Sequence, residues 1–239
     1  MAQITLVRHG QASFLEPNYD QLCATGERQA RLLGEYWARR NVRFSRAWAG
    51  PNVRQMQTAR LVEAEFRKLG RDFPELETMS ELDEYAGDVV LRQGLPQLVK
   101  ISQEALRMSR TFEDSKDPTE RRRIFQQLFE LVVGKWANDE VKISGAESWP
   151  EFCARVNRGL MQIANGAASK TSVVVFTSGG PIAVALQRAM ELSPAVTLQM
   201  TWMSRNASFT EFLHSGQRFT VSSFNATPHL DDESLLTYR

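Results

Sequence analysis

The chain has 239 residues, of which 42% are hydrophobic, 24% charged and 9% aromatic. That make-up suits an ordinary globular protein able to bury a core without a metal or disulfide staple. Lys and Arg (29) against Asp and Glu (28) leave a formal charge of +1, which removes the usual electrostatic case for a nucleic-acid binder. The two cysteines, Cys23 and Cys153, form no CxxC pair; they exclude a disulfide scaffold and a zinc finger and suit a reducing compartment.

Residues 4–7 form a short apolar run with branched side chains, closed by Gly10, as in a buried strand that ends in a loop. This run is too short for a signal h-region. No later window approaches the roughly 20 apolar residues of a membrane helix, so the expectation is a cytoplasmic protein without a membrane partner. A helix is predicted over 27–40 from Ala30, Leu33 and Trp37. A second strand follows at 46–49, broken by Gly50-Pro51, and then a helix over 53–69. From about 96 to 140 charge rises and strand formers thin out. Asp117-Pro118-Thr119-Glu120 supplies an N-cap, a proline at N1 and an acid at N3, ahead of a stripe of Ile124, Leu128 and Leu131. This region reads as a helical insertion covering the main sheet, and its Arg121-Arg122-Arg123 run as a solvated helix face. Ser148-Trp149-Pro150-Glu151 is a capping box that opens another helix. Residues 172–176 are a continuous strand-forming run around three β-branched valines, as in a strand buried on both faces. Thr177-Ser178-Gly179-Gly180-Pro181 turns that strand into a helix, and 208–213 and 218–224 read as two last strands. The alternation predicts one α/β domain over 1–239, a three-layer α/β/α stack with a mostly parallel central sheet and the insertion at about 96–140.

Ligands of open α/β sheets bind beyond the carboxyl ends of the strands, and two strands end in unusual residues. One gives Arg8-His9-Gly10-Gln11 and the other Ser178-Gly179-Gly180-Pro181. A guanidinium grips phosphate oxygens in bidentate fashion, and the free N–H groups at a helix start favour an anion. Neither segment is a Rossmann fingerprint or a Walker loop. There is no HExxH, and His9, His214 and His229 are the only histidines, so no metal or other cofactor is expected.

Leu6-Val7-Arg8-His9-Gly10 resembles the signature of the histidine phosphatase superfamily, the phosphoglycerate-mutase-like fold. Further segments are similar to that family in the same order. They are Tyr19-Asp20-Gln21-Leu22 with Gly26 and Gln29-Ala30; Gly50-Pro51-Asn52-Val53-Arg54-Gln55-Met56-Gln57-Thr58-Ala59; Leu82-Asp83-Glu84 with Gly87; and Gly145-Ala146-Glu147-Ser148. The resemblance implies that His9 is a nucleophile forming a phosphohistidine, that Arg8 and Arg54 grip the phosphoryl oxygens, and that Glu84 protonates the leaving alkoxide. Glu81 and Asp83 are neighbours, and a loop could present any of the three; the bland reading is a solvated acidic loop.

Two departures stand out. Gly50 replaces the family's serine, an expected loss of one capping interaction near Arg54. Ser178 stands where the family carries a second histidine. A hydroxyl donates one hydrogen bond without charge, and losing a preorganised donor typically costs about 3 kcal/mol, or roughly 10²–10³ in rate. Gly179 and the helix start would remain beside Ser178 as phosphate ligands. His214, in a strand, reads as structural, while His229, on a C-terminal loop, could fold toward the site. Two functions follow. One is a metal-independent phosphatase acting on a small phosphate ester through phospho-His9, at reduced activity; a mutase is disfavoured because no segment shows the closure it needs. The other is a weak or inactive protein that binds inorganic phosphate or a small phosphorylated ligand. No sequence feature marks an oligomeric state.

Overall fold

The computed structural model describes residues 1–13 and 20–238. Tyr19, quoted in the second of the segments above, lies outside them. The chain divides into two compact units, Met1–Glu84 with Arg155–Arg239, and Tyr85–Ala154.

The first unit is built on a six-stranded sheet. Its strands are β1 (Ala2–Arg8), β2 (Arg46–Ala49), β3 (Leu76–Thr78), β4 (Ser172–Thr177), β5 (Phe209–Ser215) and β6 (Arg218–Ala226), in the spatial order β3-β2-β4-β1-β5-β6. β1, β2, β3 and β4 are mutually parallel, and β5 runs against both β1 and β6. The sheet is therefore mixed but mostly parallel. β1 and β4 hold the centre because their apolar runs have no polar face to leave in water: residues 4–7 and 173–176 are all buried.

Two helices, α1 (Ala24–Arg39) and α2 (Val53–Lys68), pack against each other and share a core with the sheet. That core brings Leu33, Trp37, Ala59, Val62 and Phe66 onto Val7, Ala47, Ala49, Val174 and Phe176. Gly34 lets the two helices approach, since a Cβ there would lie 2.8 Å from the Val62 carbonyl oxygen. Phe66 is wholly buried in this layer; cutting it to Ala would cost about 3–5 kcal/mol.

The second unit is helical, with α3 (Gly87–Ile101), α4 (Gln103–Asp114), α5 (Pro118–Ala137) and the first turns of α6 (Trp149–Gly166). Helix thus begins at Gly87, ahead of the boundary expected near 96, and Pro96 sits inside α3. Asp117 caps α5 through Thr119 N at 2.9 Å, and Ser148 and Glu151 form the expected box, with Ser148 N donating to Glu151 Oε2 at 2.7 Å. An aromatic cluster of Tyr85, Trp136, Trp149 and Phe152 fills this unit.

Back in the first unit, α7 (Gly179–Met190) follows β4 and contacts β1 and β6. The sequence reading has no counterpart for β3 or for α8 (Pro194–Met203), which packs on α7. Among the described residues no helix is long and apolar enough to cross a membrane.

Candidate active site

β1 and β4 are neighbours in register, Arg8 opposite Thr177, and His9 N donates to Thr177 O at 2.9 Å. The two carboxyl ends therefore open side by side. This places Arg8-His9-Gly10 against the start of α7, where open α/β sheets bind ligands.

His9 is buried and held at both ring nitrogens. Nδ1 lies 2.7 Å from Gly10 O, and Arg54 Nε lies 3.2 Å from Nε2. A carbonyl only accepts and a guanidinium only donates, so the proton sits on Nδ1 and Nε2 presents its lone pair. Burial holds the imidazole well below its ordinary value, helped by the charges of Arg54 and Arg8 and opposed by the Gly10 carbonyl. The ring is therefore neutral at neutral pH, with Nε2 carrying no proton.

The loop around His9 is fastened from several sides. Thr58 Oγ1 accepts from Gly10 N at 3.0 Å and donates to Arg54 O at 2.7 Å. Gln29 Oε1 accepts from Gln11 N at 2.8 Å, while its Nε2 donates to Leu235 O and Thr237 Oγ1. Asn206 Nδ2 donates to His9 O at 3.3 Å. Gly10 and Gly26 cross backbone to backbone: a Cβ on Gly26 would stand 2.1 Å from Gln11 O, and one on Gly10 2.4 Å from Gly26 O.

Arg54 stands at the start of α2. Its Nη1 donates to Asp20 Oδ1 at 2.6 Å, and the same carboxylate accepts from Val53 N at 2.9 Å. Arg8 Nη1 donates to Ser204 O, and Arg8 Nε lies 3.8 Å from where a Gly179 Cβ would be. The predicted residues Arg8, His9, Arg54, Ser178 and Gly179 thus converge.

Of the three candidate acids, Glu84 is the one that reaches α7, accepting from Gly180 N at 3.0 Å. Asp83 is spent on structure. It accepts from Glu84 N at 2.7 Å and from Asn52 Nδ2, and burial raises its carboxyl above the ordinary range. Glu81 accepts from Ser80 Oγ. Thr177 Oγ1 donates to Leu82 O at 2.7 Å, which ties the acid loop to β4.

Ser178 is buried as the N-cap of α7, and its Oγ accepts from Gln55 Nε2 at 2.8 Å. The two remaining histidines pack against other partners. His214 pairs with Ala2, at the far end of β1 from Arg8. His229 packs against the rings of Tyr36 and Phe209, with both ring nitrogens buried and unpartnered. Gly50 also differs from expectation. Its role is steric rather than a lost cap, since a Cβ there would lie 2.1 Å from Gln55 Oε1.

Asp20, Gln29, Gln55, Thr58 and Asn206 received no role from the sequence. The Gln-Thr-Ala run did contain a readable signal: Gln57 Oε1 accepts from Leu22 N, Thr58 holds Gly10, and Ala59 is buried.

The arrangement is that of an α/β protein with a neutral histidine beside two buried arginines at the carboxyl ends of its central strands. The family model of the histidine phosphatase superfamily (branch 1) matches residues 4–127 and 117–227, and the chain belongs to that superfamily. Among solved structures, the phosphoglycerate mutase of Bacillus anthracis str. Sterne superposes with a TM-score of 0.61 at 19% identity, covering 96% of this chain and 95% of that one. The phosphoserine phosphatase of Entamoeba histolytica in complex with 3-phosphoglyceric acid gives 0.61 at 16%, covering 96% and 100%. The mycobacterial glucosyl-3-phosphoglycerate phosphatase gives 0.61 at 17%, covering 94% and 99%. At these identities the likeness shows the fold. No curated protein matches the chain.

Proposed function

We propose that the protein is a metal-independent phosphatase that hydrolyses a small phosphate ester through a phosphohistidine on His9, at a rate lowered by Ser178. The observation that supports this reading most is the His9 tautomer: a neutral ring whose Nδ1 proton is bound to Gly10 O and whose Nε2 faces Arg54.

In the first step Nε2 attacks phosphorus, the P–O ester bond breaks, and the leaving alkoxide takes a proton from Glu84. Arg54 exchanges its bond to Nε2 for a phosphoryl oxygen, and Asp20 keeps the guanidinium in place during the exchange. The phosphorylated ring carries a positive charge, which the Nδ1–H bond to Gly10 O stabilises. In the second step the Glu84 carboxylate takes a proton from water, the oxygen attacks phosphorus, and the P–N bond breaks to release phosphate and neutral His9. Arg8, Arg54 and the α7 start stabilise charge in both steps, which is most of what phosphoryl transfer requires. Splitting one displacement into two lowers each barrier.

Ser178 also favours a second reading, a phosphate-binding protein with little or no turnover, because the site lacks the charged donor that an imidazole would add. Hydrolysis of p-nitrophenyl phosphate in excess EDTA separates the two. The expected result is slow, chelator-insensitive turnover that His9→Ala abolishes. Unchanged turnover in His9→Ala would end the covalent mechanism. Phosphate binding without turnover on a panel of esters would favour the binder.

A further inference from the structure

Gln55 is wholly buried in the first turn of α2, beside Arg54. Its Oε1 accepts the backbone N–H of Asn52 at 3.2 Å, and its Nε2 donates to Ser178 Oγ at 2.8 Å. A backbone N–H only donates, so chemistry fixes which end of the amide is oxygen. The nitrogen must face Ser178. The Ser178 oxygen is therefore an acceptor in this pair, and its own hydrogen points elsewhere. Among the described residues Ser178 Oγ makes no bond as a donor, although the residue is 1% exposed.

Gly50 belongs to the same unit. A Cβ at position 50 would lie 2.1 Å from Gln55 Oε1 and 2.8 Å from Leu82 O. The amide occupies space that exists because residue 50 is glycine. Gly50 and Ser178, the two departures from the family pattern, are thus joined by a single buried side chain.

We propose that Gln55 is a positioning residue that makes Ser178 a committed hydrogen-bond donor to the phosphoryl group, so that Gly50, Gln55 and Ser178 together replace the missing imidazole. The proposal rests on the phosphohistidine reading above. Hydrogen bonds run one way along the chain, from Asn52 N–H to Gln55 Oε1 and from Gln55 Nε2–H to Ser178 Oγ, and such chains polarise their members. The last hydrogen, on Ser178, is left for the substrate oxygen. Glutamine suits the role and glutamate does not, because a carboxylate would accept the Ser178 hydrogen and turn it away from the anion.

The test is a double-mutant cycle in the full chain with Gln55→Glu, Gln55→Met, Ser178→Ala and each Gln55 variant combined with Ser178→Ala. Turnover of p-nitrophenyl phosphate, orthovanadate affinity and thermal unfolding are measured for all. Gln55→Glu should lower kcat roughly 10- to 100-fold, approaching the loss for one oxyanion donor, with KM nearly unchanged. Ser178→Ala should lose as much, and the pair no more than the larger single loss. The Gln55→Glu deficit relative to wild type should shrink as pH falls, because a protonated carboxyl donates again. Losses that multiply in the combined variant would overturn the proposal. So would a Gln55→Met protein that unfolds earlier but turns over like wild type. Gln55→Met, which keeps the length and drops both polar ends, carries the comparison should Gln55→Glu not fold. The vanadate arm separates this proposal from the phosphatase reading. In a wild type without turnover, a Gln55→Glu loss of vanadate affinity that vanishes in the Ser178→Ala background supports the relay, and an equal loss in both backgrounds overturns it.

Discussion

Replacing Gly26 by alanine is the sharpest perturbation of the loop that carries His9. In an open helix the change would stabilise by about 1 kcal/mol. Here a Cβ would lie 2.1 Å from Gln11 O, 2.7 Å from Gln11 N and 2.9 Å from Gln11 C, where real Cβ contacts stay beyond 3.0 Å. The backbones must therefore separate by 0.9 Å or more. Gln11 has little freedom to yield, since its N–H is held by Gln29 Oε1 at 2.8 Å and its carbonyl by Cys23 N at 3.0 Å. Overpacking of this kind costs about 1–3 kcal/mol and outweighs the propensity gain. The displaced segment adjoins His9, and a shift near 1 Å in a catalytic group costs roughly 10²-fold in rate. Thermal unfolding and kcat/KM for p-nitrophenyl phosphate should both fall. Gly134 in α5 is the control: nothing lies within 4 Å of its would-be Cβ, so Gly134→Ala should stabilise by about 1 kcal/mol. A Gly26→Ala protein as stable and as active as wild type would refute the steric argument.

Other consequences follow from the same geometry. Because burial and the two arginines depress His9 below its ordinary value of 6.5, the acid limb of kcat/KM, which reports the free enzyme, should fall below pH 6.5; a limb at or above 6.5 would contradict the neutral-ring assignment. Burial lowers His229 to about 4 from 6.5. The unfolded chain then binds that proton more readily, and stability should drop as pH falls from 6.5 to about 4, by up to roughly 3 kcal/mol. His229→Phe should flatten that part of the pH profile in chemical denaturation; an unchanged profile would assign the acid sensitivity elsewhere. Asp20→Asn weakens the 2.6 Å pair that holds Arg54 and should reduce kcat/KM roughly 10-fold while leaving the fold intact by circular dichroism. Ser178→His alone should not raise turnover, since Gln55 Nε2 already lies 2.8 Å from the Ser178 oxygen; the gain should require Gln55→Ala in the same chain, and a gain from the single change would show the pocket to be roomier than described.

The central strands were legible because burial on both faces leaves a continuous apolar run, as at 4–7 and 173–176. The helices with clear caps, at Asp117 and Ser148, were legible because their capping partners lie within three residues. β3 was not: Leu76, Glu77 and Thr78 make a three-residue edge with two exposed positions, too short for any period to register. α8 carried a local signal, Ser193 as N-cap bonded to Val196 N with Pro194 at N1, but its apolar residues form no one-sided stripe. The insertion was placed from about 96 on a change in composition, yet α3 already begins at Gly87 and runs through Pro96, and a composition window blurs such a boundary. Within the site, Arg8 and His9 announce themselves by lying at a strand end. Asp20 and Gln55 do not, because their partners are distant in sequence. Asp20 meets Arg54 34 positions on, and Gln55 meets Ser178 123 positions on. Spacing rules see neighbours along an element, and these pairs exist only once the sheet is assembled.

The most direct measurement is to quench the protein with a phosphate ester in the first turnover and locate the phosphoryl group by peptide mass spectrometry. An adduct on the His9 peptide, lost in acid, kept in alkali and missing from His9→Ala, is the result this mechanism requires. Steady turnover with no such adduct, or with the phosphoryl group on another residue, would contradict it.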